Sequence, residues 1–223
     1  MTDSRNRILE HIRRSRAAVK DEVVDRRLSE HPRGPIPARG LLPSAERLAL
    51  FTEQACSVEA TVSRLATVRD IPEAVAEYLR ERNLPATLRL APDRALIELP
   101  WAEKASGLEV YSGRAEADDA VSLVPAYAGV AETGTLILHS GAERPTGLNF
   151  LPDTHIVTLE AKDIVGTYEE IWDRLRHLHD GRLPRTVNMI TGPSRTADIE
   201  QTIQLGAHGP RRLHILVIGD PED

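Results

Sequence analysis

Short β-branched and apolar runs alternate with amphipathic stretches along this chain, and that alternation constrains the fold more than any other feature. Strands fit Thr87 to Leu90, Ala95 to Leu99, Leu108 to Tyr111, Val121 to Val124, Thr135 to Leu138, His155 to Leu159, Thr186 to Ile190 and Leu213 to Ile218. Between them, Leu48, Phe51, Ala55 and Val58 recur at helical spacing after Ser44, which is placed to cap that helix. A break near Val58 gives way to the strand-favouring Thr61, Val62 and Ser63. Val75, Tyr78 and Leu79 share one side of a helix from Pro72 to Arg82, and Tyr168, Ile171, Trp172, Leu175 and Leu178 share one side of a helix after Asp163. Runs that are apolar throughout belong to strands covered on both faces. The pattern therefore predicts an α/β fold, a mainly parallel sheet flanked by helices.

The 223 residues suffice for one sizeable core with an appended arm. Arginines 5, 7, 13, 14 and 16 surround Ile8, Leu9 and Ile12, which suggests a basic amphipathic N-terminal helix; Asp3, Glu10, Asp21 and Glu22 interrupt it, unlike a mitochondrial presequence. Prolines and glycines from Ser29 to Gly40 oppose both helix and ladder, so this stretch is expected to be a linker without fixed structure. The expected division is an arm with its linker over residues 1–43 and an α/β domain over residues 44–223.

Several functions are excluded or disfavoured. A net charge of −6 leaves no footprint for nucleic acid. No apolar run approaches the roughly 18 residues of a membrane span. The lone cysteine, Cys56, cannot form an internal disulfide or an all-cysteine cluster site, and it is expected to be a small buried or half-buried hydrophobe. A reducing cytoplasm is the simplest compartment. His177 and His179 lie two apart on a helix and point to different faces, so no metal site is expected. The glycine-rich fingerprints of dinucleotide and nucleoside-triphosphate binding are absent.

Three segments carry candidate chemistry. The run from Thr191 to Glu200 reads as a strand feeding a Gly-Pro turn into a helix, with Ser194 or Thr196 as its cap. Gly192 would let a ligand approach the backbone, and Arg195 would pair with the anion that a helix N-terminus attracts. The competing reading is an ordinary helix whose dipole is met by Asp198 and Glu200. In the second segment, Glu132 stands between apolar runs, so it must be paired, reach a polar cleft or take up a proton. It is a catalytic candidate, with Thr133 and Gly134 beside it as ligand contacts; alternatively it accepts from backbone amides and holds the turn. The third segment, Arg144 to His155, is a long connection of the kind that lines sites. There Asp153 could orient the His155 imidazole as an acid/base group, or form a surface turn with His155 at a strand entrance.

The words GVAETGTLIL, RPTGLNFLPDTHIVTLEAKDIV and GPSRTADIEQTIQLGAHGPRRLHILVI, in this order, resemble the lactate-utilisation protein C family, or LUD domain, over about residues 44 to 219. The resemblance implies a fold similar to the isomerase and CoA-transferase superfamily. It also implies a cytoplasmic role in oxidising L-lactate to pyruvate with two iron–sulfur partner proteins. Lactate oxidation moves two electrons, and a chain with one cysteine and no nucleotide fingerprint leaves the redox centre to those partners, with no cofactor of its own. The expected role is a non-redox subunit in which Glu132, Arg195 and neighbouring loops bind a small carboxylate or a partner. The alternative is a stand-alone acyl- or phosphosugar-transforming enzyme with Glu132 as nucleophile or base. His139 departs from the small polar residue expected after TLIL and is given no role.

Overall fold

The computed structural model describes residues 2–16, 21–178, 182–199, 202–205 and 208–221. Contacts divide the chain into residues 1–35 and 36–223. The first unit holds helices α1 (Thr2–Arg16) and α2 (Asp21–Glu30). Ile8 and Ile12 are exposed on α1, so its apolar stripe is solvated.

The second unit begins with α3 (Ser44–Ser57), β1 (Thr61–Leu65), α4 (Ile71–Glu81), β2 (Thr87–Leu90), the one-turn helices α5 (Arg94–Ile97) and α6 (Trp101–Lys104), and β3 (Glu109–Ser112). It continues with β4 (Val121–Pro125), β5 (Ala128–Val130), β6 (Thr135–His139), β7 (Thr154–Glu160), β8 (Ile164–Val165), α7 (Tyr168–Leu178), β9 (Val187–Ile190), β10 (Arg195–Ile199), β11 (Thr202–Leu205) and β12 (Arg212–Ile218). Six strands form one parallel sheet in the order β1-β12-β7-β4-β2-β3. Its central strands β4, β7 and β12 are almost wholly buried, as the uninterrupted apolar runs require. On it pack Phe51 and Ala55 of α3 and Val75, Tyr78 and Leu79 of α4, the residues whose spacing marked inward faces.

Several expectations need correction. The TLIL and VNMI runs do not join the parallel sheet; they pair antiparallel with each other in a separate sheet, β8-β5-β6-β9. Ala95 to Leu99 is not a strand, because the Asp93 carboxylate accepts from the Ala95 amide and starts a helical turn. Ser44 opens α3 without capping it; Pro43 holds the cap position, and Arg47 Nε donates to the Leu42 carbonyl at 2.6 Å. The linker is shorter than expected at both ends, since α2 runs through Glu30 and Ala38–Gly40 forms a turn with Gly40 buried against Thr167. Cys56 is exposed, not buried. Leu178 is 40% exposed at the end of α7, and His179 lies outside the described residues.

Two imidazoles are enclosed by the sheet. His214 stacks on Tyr78 at 4.0 Å between centroids, with Nδ1 2.8 Å from Thr61 Oγ1. Burial pushes its pKa down to about 4, and burial pushes that of His155 down to about 3. An unfolded imidazole protonates near 6.5, so below that pH the unfolded chain binds more protons than the fold. Stability is therefore fully present above about 6.5 and declines as the pH falls toward about 4. We expect the urea-unfolding midpoint to drop between neutral pH and about pH 5, and His214→Phe to lose part of that drop. A midpoint that stays constant over this interval would contradict the assignment.

Candidate functional site

A cleft of about 250 Å³ opens at the amino ends of β7 and β12. His155 is the second residue of β7, in register with Ser122 of β4 on one side and Leu213 of β12 on the other, so these three side chains share a sheet face. The cleft is completed by Asn149 and Phe150 from the long connection, by the Thr191–Ser194 turn and by His208–Pro210. The Ser194 amide donates to the Pro210 carbonyl at 2.8 Å, tying the two turns together. Two of the three segments singled out in the sequence, the one from Thr191 and the one ending at His155, line this cleft, though not as expected; the Glu132 segment does not.

The turn after β9 does not enter a helix. Arg195 to Ile199 is strand β10, paired antiparallel with β11, so there is no helix N-terminus here to draw an anion. Thr196 pairs with Gln204 in that hairpin, and Glu200 lies outside the described residues. The turn also stands at the amino edge of the parallel sheet, beside the first residues of β7 and β12. Arg195 Nη2 lies 2.8 Å from Glu59 Oε2, a solvent-facing pair of small energetic weight.

Gly134 and Gly192 serve packing. Both adopt positive φ, 65° and 73°, and both face the end of α3. A Cβ on Gly192 would lie 2.5 Å from the Val58 carbonyl oxygen, and one on Gly134 would overlap the Ala55 backbone nitrogen. What approaches these backbones is a helix, where a ligand was expected. The same two turns are joined by hydroxyls: Thr135 Oγ1 lies 2.7 Å from Thr133 Oγ1, 2.7 Å from the Tyr168 hydroxyl and 2.6 Å from Thr191 Oγ1. One donor and two acceptor positions use up the capacity of the Thr135 hydroxyl.

Glu132 is buried, and its Oε1 accepts from the Tyr168 amide at 3.4 Å at the start of α7. Glu170 accepts from the preceding amides of Gly166 and Thr167. The two carboxylates thus satisfy amides that a helix start leaves unpaired. Glu132 is not part of the cleft wall.

His155 is 1% exposed, and Asp153 does not orient it; Asp153 is exposed, 3.7 Å from Arg211 Nε. The orienting group is Ser122, whose Oγ lies 3.0 Å from His155 Nδ1 and donates to the Leu148 carbonyl at 2.7 Å. Nothing in the sequence marked Ser122 except its polarity within an apolar strand.

A second cleft of about 380 Å³ occupies the carboxyl edge, where connections after β2 and β4 run to opposite sides of the sheet. Arg144 crosses its rim, donating to His139 Nε2 at 3.0 Å with Asp93 3.9 Å away, and Asp163 meets Arg174 at 3.4 Å. Burial pushes the Glu160 carboxyl and the Tyr127 hydroxyl upward in pKa. Much of the polar chemistry in this cleft is thus spent on internal pairs. The amino-edge cleft differs, because His155 Nε2 is buried without a hydrogen-bond partner. No group of three or more potential metal-ligating side chains occurs among the described residues.

A six-stranded parallel sheet carrying a smaller mixed sheet, with a cleft built from turns and one enclosed imidazole, defines an α/β architecture. The chain belongs to the LUD domain family, whose profile matches residues 48–218. YkgG of Escherichia coli, an uncharacterised protein, is 30% identical over 172 residues, 76% of this chain and 72% of that protein. The lactate utilization protein C of Anoxybacillus flavithermus is 34% identical over 91 residues, 41% of this chain and 40% of that protein. For several curated relatives the match spans about 40% of their length. A DUF162 family protein from Deinococcus radiodurans superposes with a TM-score of 0.61 at 26% identity, over 80% of this chain and 99% of that one.

The packing role of the glycines gives a direct test. Gly134→Ala and Gly192→Ala should each destabilise the fold by more than about 1 kcal/mol in urea unfolding, because the new methyl meets backbone and the φ is unfavourable. Gly141→Ala, whose Cβ would enter open space, should be nearly neutral. Equal stabilities for all three would refute the packing reading.

Proposed function

We propose that this chain is a small-acid-binding subunit of a lactate-utilisation system that oxidises L-lactate to pyruvate, with the electrons carried by two iron–sulfur partner proteins. The observation that carries the reading is the convergence of three separate segments, Asn149-Phe150, Thr191–Ser194 and His208–Pro210, on one cleft around the His155 ring. Its volume of about 250 Å³ suits a ligand of a few heavy atoms and falls below the ~300–1,000 Å³ of clefts that take larger molecules. The name carried by relatives such as the Anoxybacillus protein supports lactate as that acid. The single cysteine leaves this chain without a cluster ligand set, which supports redox centres in the partners. A reducing cytoplasm is the compartment that fits such partners. No helix among the described residues is long and apolar enough to cross a membrane.

A stand-alone transferase or isomerase would need Glu132 at a substrate cleft. Its contact with the start of α7 gives that alternative no support.

The test is reconstitution of lactate-dependent dye reduction from the iron–sulfur partners with and without this chain. Omitting the chain should abolish most of the rate, and adding it back should restore it. Full activity from the partners alone would overturn the proposal.

A further inference from the structure

The hydrogen-bond chain behind His155 fixes more than the position of its ring. Ser122 has one hydroxyl hydrogen, and the 2.7 Å contact with the Leu148 carbonyl uses it. The 3.0 Å contact with His155 Nδ1 therefore needs its hydrogen from the ring, which makes Nδ1 the donor. Burial keeps the imidazole neutral, its pKa pushed down to about 3. A neutral ring protonated at Nδ1 has a bare lone pair at Nε2. That atom is enclosed and lacks a donor, although His155 forms part of the cleft wall. A buried acceptor with no donor carries a free-energy penalty that a ligand hydroxyl would remove once the lining over Nε2 yields enough to admit it.

We propose that the cleft receives the hydroxyl of a small 2-hydroxy acid on His155 Nε2, and that it thereby selects hydroxy acids over the corresponding 2-oxo acids. Asn149 and His208 line the same cleft, and each carries a side chain able to donate an N–H to the carboxylate end. A 2-oxo acid presents only lone pairs to Nε2, so it leaves the acceptor unpaired and adds repulsion. Ser122 is a positioning residue in this scheme; it holds the proton on Nδ1 and does not touch the ligand. The inference rests on the lactate reading only for the identity of the acid.

The experiment titrates the full chain with two matched pairs, L-lactate against pyruvate and L-2-hydroxybutyrate against 2-oxobutyrate, following affinity by calorimetry and the His155 ring nitrogens by NMR. Without ligand, Nδ1 should carry the proton and Nε2 should be bare. In at least one pair the hydroxy acid should bind about tenfold or more tightly than its partner and shift the Nε2 resonance. His155→Asn, which keeps a short donor toward Ser122 and removes Nε2, should lose the preference. If that variant fails to fold, the wild-type resonances and affinity ratios still decide. A preference shown only by the hydroxybutyrate pair would uphold the subsite and tell against lactate as the acid. Oxo acids binding as well as hydroxy acids, a proton resident on Nε2, or no shift of Nε2 with any of the four acids would overturn the subsite.

Discussion

The close approach of the end of α3 to two turns is the constraint on which the rest of the cleft depends. Gly134, from the turn before β6, and Gly192, from the turn after β9, are both held against the last residues of that helix. Their lack of a Cβ lets Ala55 and Val58 act as a common backstop. β6 and β9 are antiparallel neighbours, so the helix fixes the register of the small sheet at the point where Leu136 pairs with Ile190. The Thr133, Thr135, Tyr168 and Thr191 hydroxyls then tie the sheet to α7. Residues that look like a ligand loop in the sequence are thereby committed to architecture, while the Thr191–Ser194 turn also lines the amino-edge cleft.

The chemistry left over is sparse. The surface pair of Arg195 with Glu59 and the buried contact of Glu132 with the start of α7 use charges that a catalytic reading would have assigned to substrate. What remains in the cleft is mostly apolar side chains such as Phe150, Met189, Ile190 and Leu213, small turn residues, and the side chains of Asn149, His155 and His208. Such a lining can orient a small polar molecule without contributing strong acid/base power, which is all that the proposed role asks of it.

Long elements were legible in the sequence because their burial leaves a period. Helices α3, α4 and α7 and strands β2, β4, β7 and β12 all follow from spacing of apolar residues. Strands β5 and β8, at three and two residues, are too short to carry any period. The β10–β11 hairpin was misread because Gly-Pro-Ser-Arg-Thr satisfies the local rules for a helix start, while the competing signal was the β-branched Thr196, Ile199, Thr202 and Ile203. The candidate site was legible as segments and illegible as contacts. His155 was visible from its setting, but its partner Ser122 lies 33 residues away and meets it only through parallel pairing of β4 and β7.

The exposed thiol of Cys56 gains a use from its neighbours. It is the one cysteine of the sequence, it lies on the last turn of α3, and two residues later Val58 contacts Gly192 at the cleft. A fluorophore or spin label attached there would occupy a single defined position without any residue being replaced. Movement of the Gly192 turn against the helix end would reach that label through one backbone contact, so the native chain already contains its own reporter of events in the cleft.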